Sequence, residues 1–360
     1  MYFELGVKRR KEDFYDREEE LGYLLSELRN PITRMIVIKG IRRTGKSSLM
    51  RVSLSEAEYP SLLVDMRAGG AFSTDDFHYH LQEGLSSLLR WKGVRKYLER
   101  VKEVQIAGVK VELLSRRPST LGTIIRSLNE WADSQGLYLV LAFDEAQDIR
   151  FVRGLTELLA HVYDYEDRIK LLLAGSEVGV LDRLLGRRNP SSPLFGRAYS
   201  EIKLGKLPRD KGLDFLVRGF EQAGVRPPLS ELEEAVSKLD GLIGWLTYYG
   251  YYRLRLSHER ALERTLEEGS YLSAQEFMNF LGNRSLARRR YLLIIKLLVN
   301  PVRWSEVKRW LLSKVGKVSD KQISNYLNEL VEYGFVEKVE GRYRLADPLL
   351  AEAVRRGLLS

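Results

Sequence analysis

Residues 35–48 read Met-Ile-Val-Ile-Lys-Gly-Ile-Arg-Arg-Thr-Gly-Lys-Ser-Ser. The apolar run Met35 to Lys39, rich in β-branched side chains, is the pattern of a short buried strand. It runs directly into Gly40-Ile41-Arg42-Arg43-Thr44-Gly45-Lys46-Ser47, which fits G-x-x-x-x-G-K-[ST]. From Arg51 onward the pattern continues as a helix, so the motif has the strand before it and the helix after it that its chemistry needs. Gly40 and Gly45 let the backbone wrap an anion. The N–H groups of Arg42, Arg43 and Thr44 turn inward, and the helix N-terminus adds partial positive charge. Lys46 is expected to reach the β- and γ-phosphates of ATP, or the β-phosphate of ADP, Ser47 to supply a hydroxyl oxygen to Mg²⁺, and Ser48 to hydrogen-bond nearer the α-phosphate.

Outward from this segment, Glu18 to Leu28 carries Leu21, Leu24, Leu25 and Leu28 at helical spacing and ends at Asn30-Pro31. Further short apolar strands are expected at Leu62 to Met66, followed by Gly69-Gly70, at Leu137 to Phe143 and at Lys170 to Ala174. The stretch Asp75 to Gln135 reads as largely helical. Apolar strands alternating with helices, with polar residues at the strand C-termini, predict an α/β fold whose parallel sheet is covered by helices on both faces. Ligands bind at those C-terminal ends. Lys211 to Ala223, Ser230 to Leu239 and Gly250 to Gly269 read as helices of a second lobe, with no strand beyond Leu204 until the last thirty residues. No internal repeat interrupts this plan.

Phe143-Asp144-Glu145 follows the third strand, where a Walker B motif belongs. Asp144 would hold Mg²⁺ through its water shell and Glu145 would orient the attacking water; the plainer reading is a helix-capping carboxylate. Ser176, in Gly175-Ser176-Glu177-Val178-Gly179, sits beside this pair, as a γ-phosphate sensor or an N-cap. Arg197, in Ser192-Pro193-Leu194-Phe195-Gly196-Arg197, is either a γ-phosphate finger, in cis or in trans, or an ion-pair partner.

Taken in order, the box Phe14-Tyr15-Asp16-Arg17-Glu18-Glu19-Glu20-Leu21, GIRRTGKSS, FDEAQ, GSEVG and SPLFGR resemble the archaeal ATPase family within the STAND branch of AAA+-related P-loop NTPases. The plan is also similar to that of archaeal origin-recognition initiators. This resemblance implies an ATP-binding core, a helical lid and a C-terminal winged helix. It places Tyr15 to Arg17 near the adenine, makes Ser176 the sensor-1 position and supports a role for Arg197 as finger or clamp. The chain departs from the family pattern at Asp240-Gly241-Leu242-Ile243-Gly244-Trp245, where Ile243 replaces the proline of a Gly-x-Pro element. No sensor-2 arginine is evident.

The C-terminal residues support the winged helix independently. Arg288 to Val299 and Trp304 to Leu312 are amphipathic, and Ser319 is an N-cap for Asp320 to Glu332, whose Ile323, Leu327 and Leu330 face a core. A hairpin about Glu340-Gly341 follows. In a DNA-binding winged helix the third helix enters the major groove, so Lys321, Gln322 and Asn325 are candidate DNA contacts, with Arg342 and Arg344 of the wing on phosphates. Three domains are expected: 1–204, an ATPase core; 205–285, a helical lid; and 286–360, the winged helix.

Charge and composition bound the function. The 360 residues carry a formal charge of +9, and residues 286–360 hold fifteen Lys/Arg against eight Asp/Glu. Most of the excess therefore belongs to the last module, and suggests nucleic acid or an acidic surface as partner. The absence of cysteine excludes disulfides, thiolate metal sites and cysteine nucleophiles. Among four histidines, His78 and His80 form an H-x-H pair, which is read as solvated or packed rather than as a metal site. The start has no apolar signal-peptide core and no apolar run approaches the ~18 residues of a membrane span, so a cytoplasmic protein without membrane partner is expected. The expected function is an ATP-hydrolysing switch whose lid relays nucleotide state to a DNA-binding winged helix. The alternatives are a nucleotide-gated scaffold whose winged helix docks protein, with self-association in the ATP state, and an initiator-type loader of proteins on DNA.

Overall fold

The structure is a computed structural model that describes residues 1–66, 74–114, 118–187, 189–282 and 284–359. Gly69-Gly70 lie outside the described residues. The chain divides into two compact units: Val7–Gly40 with Lys46–Leu204, and Met1–Gly6 with Ile41–Gly45 and Gly205–Ser360.

The first unit contains α1 (Glu18–Arg29), β1 (Met35–Lys39), α2 (Lys46–Glu56), β2 (Ser61–Asp65), α3 (Thr74–Leu88), α4 (Val94–Leu98), β3 (Val104–Ala107), β4 (Lys110–Leu113), α5 (Pro118–Ser134), β5 (Leu139–Asp144), α6 (Leu155–Tyr165), β6 (Ile169–Gly175), α7 (Val178–Leu184) and β7 (Ser200–Lys203). Five strands form a parallel sheet in the order β2-β5-β6-β1-β7. β1, β5 and β6 are buried along their whole length, whereas the edge strands β2 and β7 are half exposed. This explains the uninterrupted apolar runs: Met35, Val37, Leu141 and Leu173 face one core, and Ile36, Ile38, Ala142 and Leu172 the other.

Two elements correct the expected order. The stretch read as helical holds the antiparallel hairpin β3–β4, joined through Gly108 at φ +61. Its Val104, Ile106 and Val111 alternate with polar residues, a period of two that the helical reading overlooked. β7 was also unforeseen, because only Ile202 of its four residues is buried.

The second unit contains α8 (Arg209–Gln222), α9 (Leu229–Leu239), α10 (Ile243–Arg253), α11 (His258–Gly282), α12 (Arg288–Leu297), β8 (Val302–Arg303), α13 (Trp304–Val315), α14 (Asp320–Glu332), β9 (Val336–Val339), β10 (Arg342–Leu345) and α15 (Pro348–Arg355). The expected helix over Gly250 to Gly269 is instead the end of α10 and the start of α11. They meet where the Tyr249 hydroxyl lies 2.9 Å from His258 Nδ1. α12, α13, α14 and the sheet β8-β10-β9 form a winged helix, so a two-residue strand does precede the last thirty residues. Ser319 caps α14 and Gln322 closes the capping box.

α11 joins both parts of this unit. Its 25 residues extend ~37 Å at 1.5 Å per residue. Gly269 packs against Trp245 of α10, while Phe277, Phe280 and Leu281 enter the winged-helix core with Tyr291, Leu330 and Phe335. At the other end of the unit, Phe3 of the N-terminal peptide occupies a notch on α8 and α10. A Cβ at Gly219 or Gly250 would fall within 2.3 Å of its ring. Among the described residues no helix is long and apolar enough to cross a membrane.

Candidate nucleotide site

The loop leaves β1 at Lys39 and re-enters helix at Lys46, with Gly45 at φ +96 and Arg43 at φ +66. Glycine takes such angles freely, while a non-glycine residue there carries a strain of ~1 kcal/mol. Thr44 donates its hydroxyl to the Ile41 carbonyl at 2.9 Å, closing the turn. Lys46 and Thr44 are buried and Ser47 is half-buried at the first turn of α2. Ser48 accepts a hydrogen bond from the Lys8 N–H at 3.0 Å, which ties the N-terminal segment to α2. Tyr15 is buried, and Arg17 donates to Glu20 at 2.8 Å.

The acidic side is built on neighbouring strands. Asp144, 3% exposed, ends β5 and accepts from the Glu145 N–H at 3.1 Å. Glu145 has φ 51 and ψ 48, a left-handed turn that leads into a 3-10 segment, Ala146–Phe151. Its Oε2 accepts from Ser176 Oγ at 2.7 Å, from the Ser176 N–H at 3.1 Å and from Gln147 Nε2 at 2.8 Å. β5 and β6 are adjacent, with Phe143 opposite Leu173, so parallel pairing delivers Ser176 to Glu145. A buried lysine, a hydroxyl at a helix N-terminus and a buried carboxylate are the donor set that suits a magnesium-bound triphosphate.

Behind the loop, Lys39 is 1% exposed and hydrogen-bonds Asp182 of α7 and, at 2.8 Å, Glu201 of β7. Burial pulls its pKa down, but the hydrogen bonds to Asp182 and Glu201 outweigh it and raise the value above that of a free lysine. This brace fixes the strand end from which the loop springs. Read as part of an apolar run, Lys39 gave no sign of it.

In the other unit, Arg42 and Arg43 are engaged by their side chains. Arg43 makes a bidentate pair with Glu276 of α11, at 2.8 and 3.1 Å, and its guanidinium lies 3.9 Å from the Trp245 ring centroid. Arg42 donates to the Tyr333 carbonyl at 3.1 Å and covers the Phe335 ring. The Gly244 N–H donates to the Arg43 carbonyl at 3.0 Å, and a Cβ on Gly244 would meet Arg43 Cβ at 2.7 Å. The expected proline position, Ile243, is the first residue of α10, a site where proline's missing N–H and fixed φ cost nothing. With isoleucine the segment still packs on the loop, Ile243 Cγ2 lying 3.9 Å from a Cβ built on Gly45.

A family model described as an ATPase domain predominantly from Archaea matches residues 14–248. The chain belongs to this archaeal ATPase family. A second model, the MCM protein C-terminal winged helix-turn-helix domain, matches residues 285–346 of the ATPase. Among solved structures the ATPase is similar to a Walker-type ATPase of Pyrococcus abyssi, at 33% identity and TM-score 0.80, over 99% of this chain and 100% of that one. It shares its fold with the Aeropyrum pernix ORC2 protein, described in ADPNP-ADP complexes, at 15% identity and TM-score 0.60, over 99% and 98% of the chains. No curated protein matches the ATPase.

The remaining predicted residues lie apart from the loop. Arg197 precedes β7, three residues before Ser200, which pairs with Ile36; the loop follows Lys39, which pairs with Lys203 at the opposite end of β7. Its guanidinium is held by Asp164 of α6, Nε at 3.0 Å, and by the Pro193 carbonyl. On the winged helix, Lys321, Asn325 and Arg342 are exposed. Gln322 accepts from the Ser319 N–H at 3.0 Å, and Arg344 donates to Glu337 at 2.7 Å, so both side chains already have partners.

Proposed function

We propose that this ATPase is a nucleotide-driven switch in which the phosphate loop itself moves the lid and winged helix. The observation that carries the reading is the Arg43–Glu276 pair: a residue inside the phosphate-binding motif is clamped to the helix whose far end forms part of the winged-helix core. A loop that reshapes around a triphosphate shifts Arg42 and Arg43, and with them Glu276, Trp245 and Phe335.

In the chemistry, the loop N–H groups and Lys46 bind the phosphates, and Ser47 with Asp144 would hold Mg²⁺. The metal, when bound, neutralises charge that develops on the β- and γ-oxygens. Glu145, aimed by Ser176, orients and deprotonates the water that attacks the γ-phosphorus. Tyr15 and Arg17 lie on the segment assigned to the base. Arg197, at the edge of the sheet away from its own loop, serves as a clamp on Asp164, and as a finger it would act on a neighbouring molecule's nucleotide.

The output is duplex DNA bound through exposed Lys321, Asn325 and Arg342, in keeping with the basic excess of residues 286–360. The second reading, a protein-docking winged helix, is favoured by the side chains of Gln322 and Arg344 being occupied within the fold. Hydrogen exchange tests the switch: residues 243–246 and 333–336 should differ several-fold in protection between ATP with Mg²⁺ and ADP. Identical exchange in both states would refute it.

A further inference from the structure

Gln147 is 2% exposed and stands two residues past Glu145 on the 3-10 segment. The left-handed turn at Glu145 folds the chain so that the Gln147 amide nitrogen donates to Glu145 Oε2 at 2.8 Å. The opposite amide orientation would set oxygen against carboxylate oxygen, so this assignment follows from the chemistry. Its carbonyl Oε1 is buried without a hydrogen-bond partner among the described residues. A fold seldom keeps an unsatisfied buried acceptor when a hydrophobic side chain would fill the same space.

Gly175 accounts for the space that the amide occupies. A Cβ built there would lie 2.6 Å from Gln147 Oε1, and Gly175 is not in the left-handed region, so close approach rather than backbone freedom explains the glycine. Together with the two Ser176 donors, the amide brings three hydrogen bonds onto one carboxylate oxygen. Three donors fill the lone-pair directions of Oε2 and fix the plane of the carboxylate. The 3-10 segment also carries Asp148 and Arg150, and Arg150 lies 3.5 Å from Glu177.

We propose that Gln147 is a positioning residue for ATP hydrolysis, holding Glu145 through its amide nitrogen in a slot kept open by Gly175. The inference rests on Glu145 acting on the attacking water. Gln147→Met keeps the chain length and removes the donor together with the unsatisfied oxygen. Its kcat should fall about tenfold while KM for ATP stays within twofold and Tm does not drop. Gly175→Ala, pressing on the amide from the other side, should reproduce the kcat loss. In single turnover, adding Gln147→Met to Glu145→Gln should change the residual rate less than twofold, because the residue acts through Glu145.

A wild-type kcat for Gln147→Met, with Glu145→Gln inactive, overturns the inference and leaves the role of Glu145 standing. Wild-type turnover by Glu145→Gln overturns both. A raised KM with lowered Tm, or an equal loss in the Glu145→Gln background, overturns the inference by making the amide a packing element.

Discussion

Ser176 Oγ donates to Glu145 Oε2 at 2.7 Å, joining the end of β6 to the end of the neighbouring strand β5. This contact makes the glutamate part of a rigid frame rather than a helix cap, since Glu145 makes no capping hydrogen bond to the turn it begins. Glu145→Gln should therefore bind ATP with near wild-type affinity and lose ~10²-fold or more in turnover. Lys46→Ala should lose nucleotide binding itself. Nucleotide-induced shifts in Tm and steady-state phosphate release distinguish the two.

Arg43 links the loop to α11 by a bidentate ion pair with Glu276 and to α10 by a cation–π contact with Trp245. Glu276→Ala removes the bidentate partner of that guanidinium, leaving the longer ion pair to Asp347 at 3.9 Å, and should destabilise the second unit by ~2 kcal/mol in urea unfolding. ATP affinity should change little, whereas the nucleotide-dependent exchange at 333–336 should disappear.

Lys170 is a buried lysine whose ammonium donates to the carbonyls of Thr33, at 2.7 Å, and Asn30. Burial pushes its pKa down to about 8 from 10.5. The unfolded chain thus keeps the proton to higher pH than the folded one, so the site's contribution to stability rises between about pH 8 and 10.5. Relative to Lys170→Met, the wild type should gain ~1–3 kcal/mol on moving from pH 7.5 to 10, less than the full shift because the carbonyls favour the charged form. Denaturant unfolding of both proteins at the two pH values measures the difference.

Arg197 is anchored on Asp164, at the end of β7 away from the loop. In dilute protein Arg197→Ala should turn over ATP within twofold of wild type but melt several degrees lower. A loss of rate seen only at concentrations where ATP drives self-association, followed by sedimentation, would identify a finger acting in trans.

The central sheet was legible because strands buried on both faces leave continuous apolar runs, as at Met35 to Lys39 and Leu139 to Phe143. Edge elements were not: Ser200–Lys203 buries one side chain and Val302–Arg303 is too short to show a period. The motif at residues 40–47 was legible in the sequence, but it speaks only for the backbone. It carries no information on where Arg42 and Arg43 send their guanidinium groups, because Glu276 lies 233 residues away from Arg43. Gln147 left no signal beyond its place in FDEAQ, and only the turn at Glu145 brings its amide to the carboxylate. On the winged helix, Gln322 was visible both as a base reader and as part of a capping pattern, and the capping box holds its side chain.

The central claim is that nucleotide state reaches the winged helix through Arg43. Its most direct test is duplex-DNA affinity as a function of salt, measured with ATP plus Mg²⁺ and with ADP. Binding with a salt slope of several phosphate contacts, different between the two nucleotides in the wild type and equal in Arg43→Ala, is the predicted result. Weak binding that ignores nucleotide and survives neutralisation of Lys321 and Arg342 would contradict it.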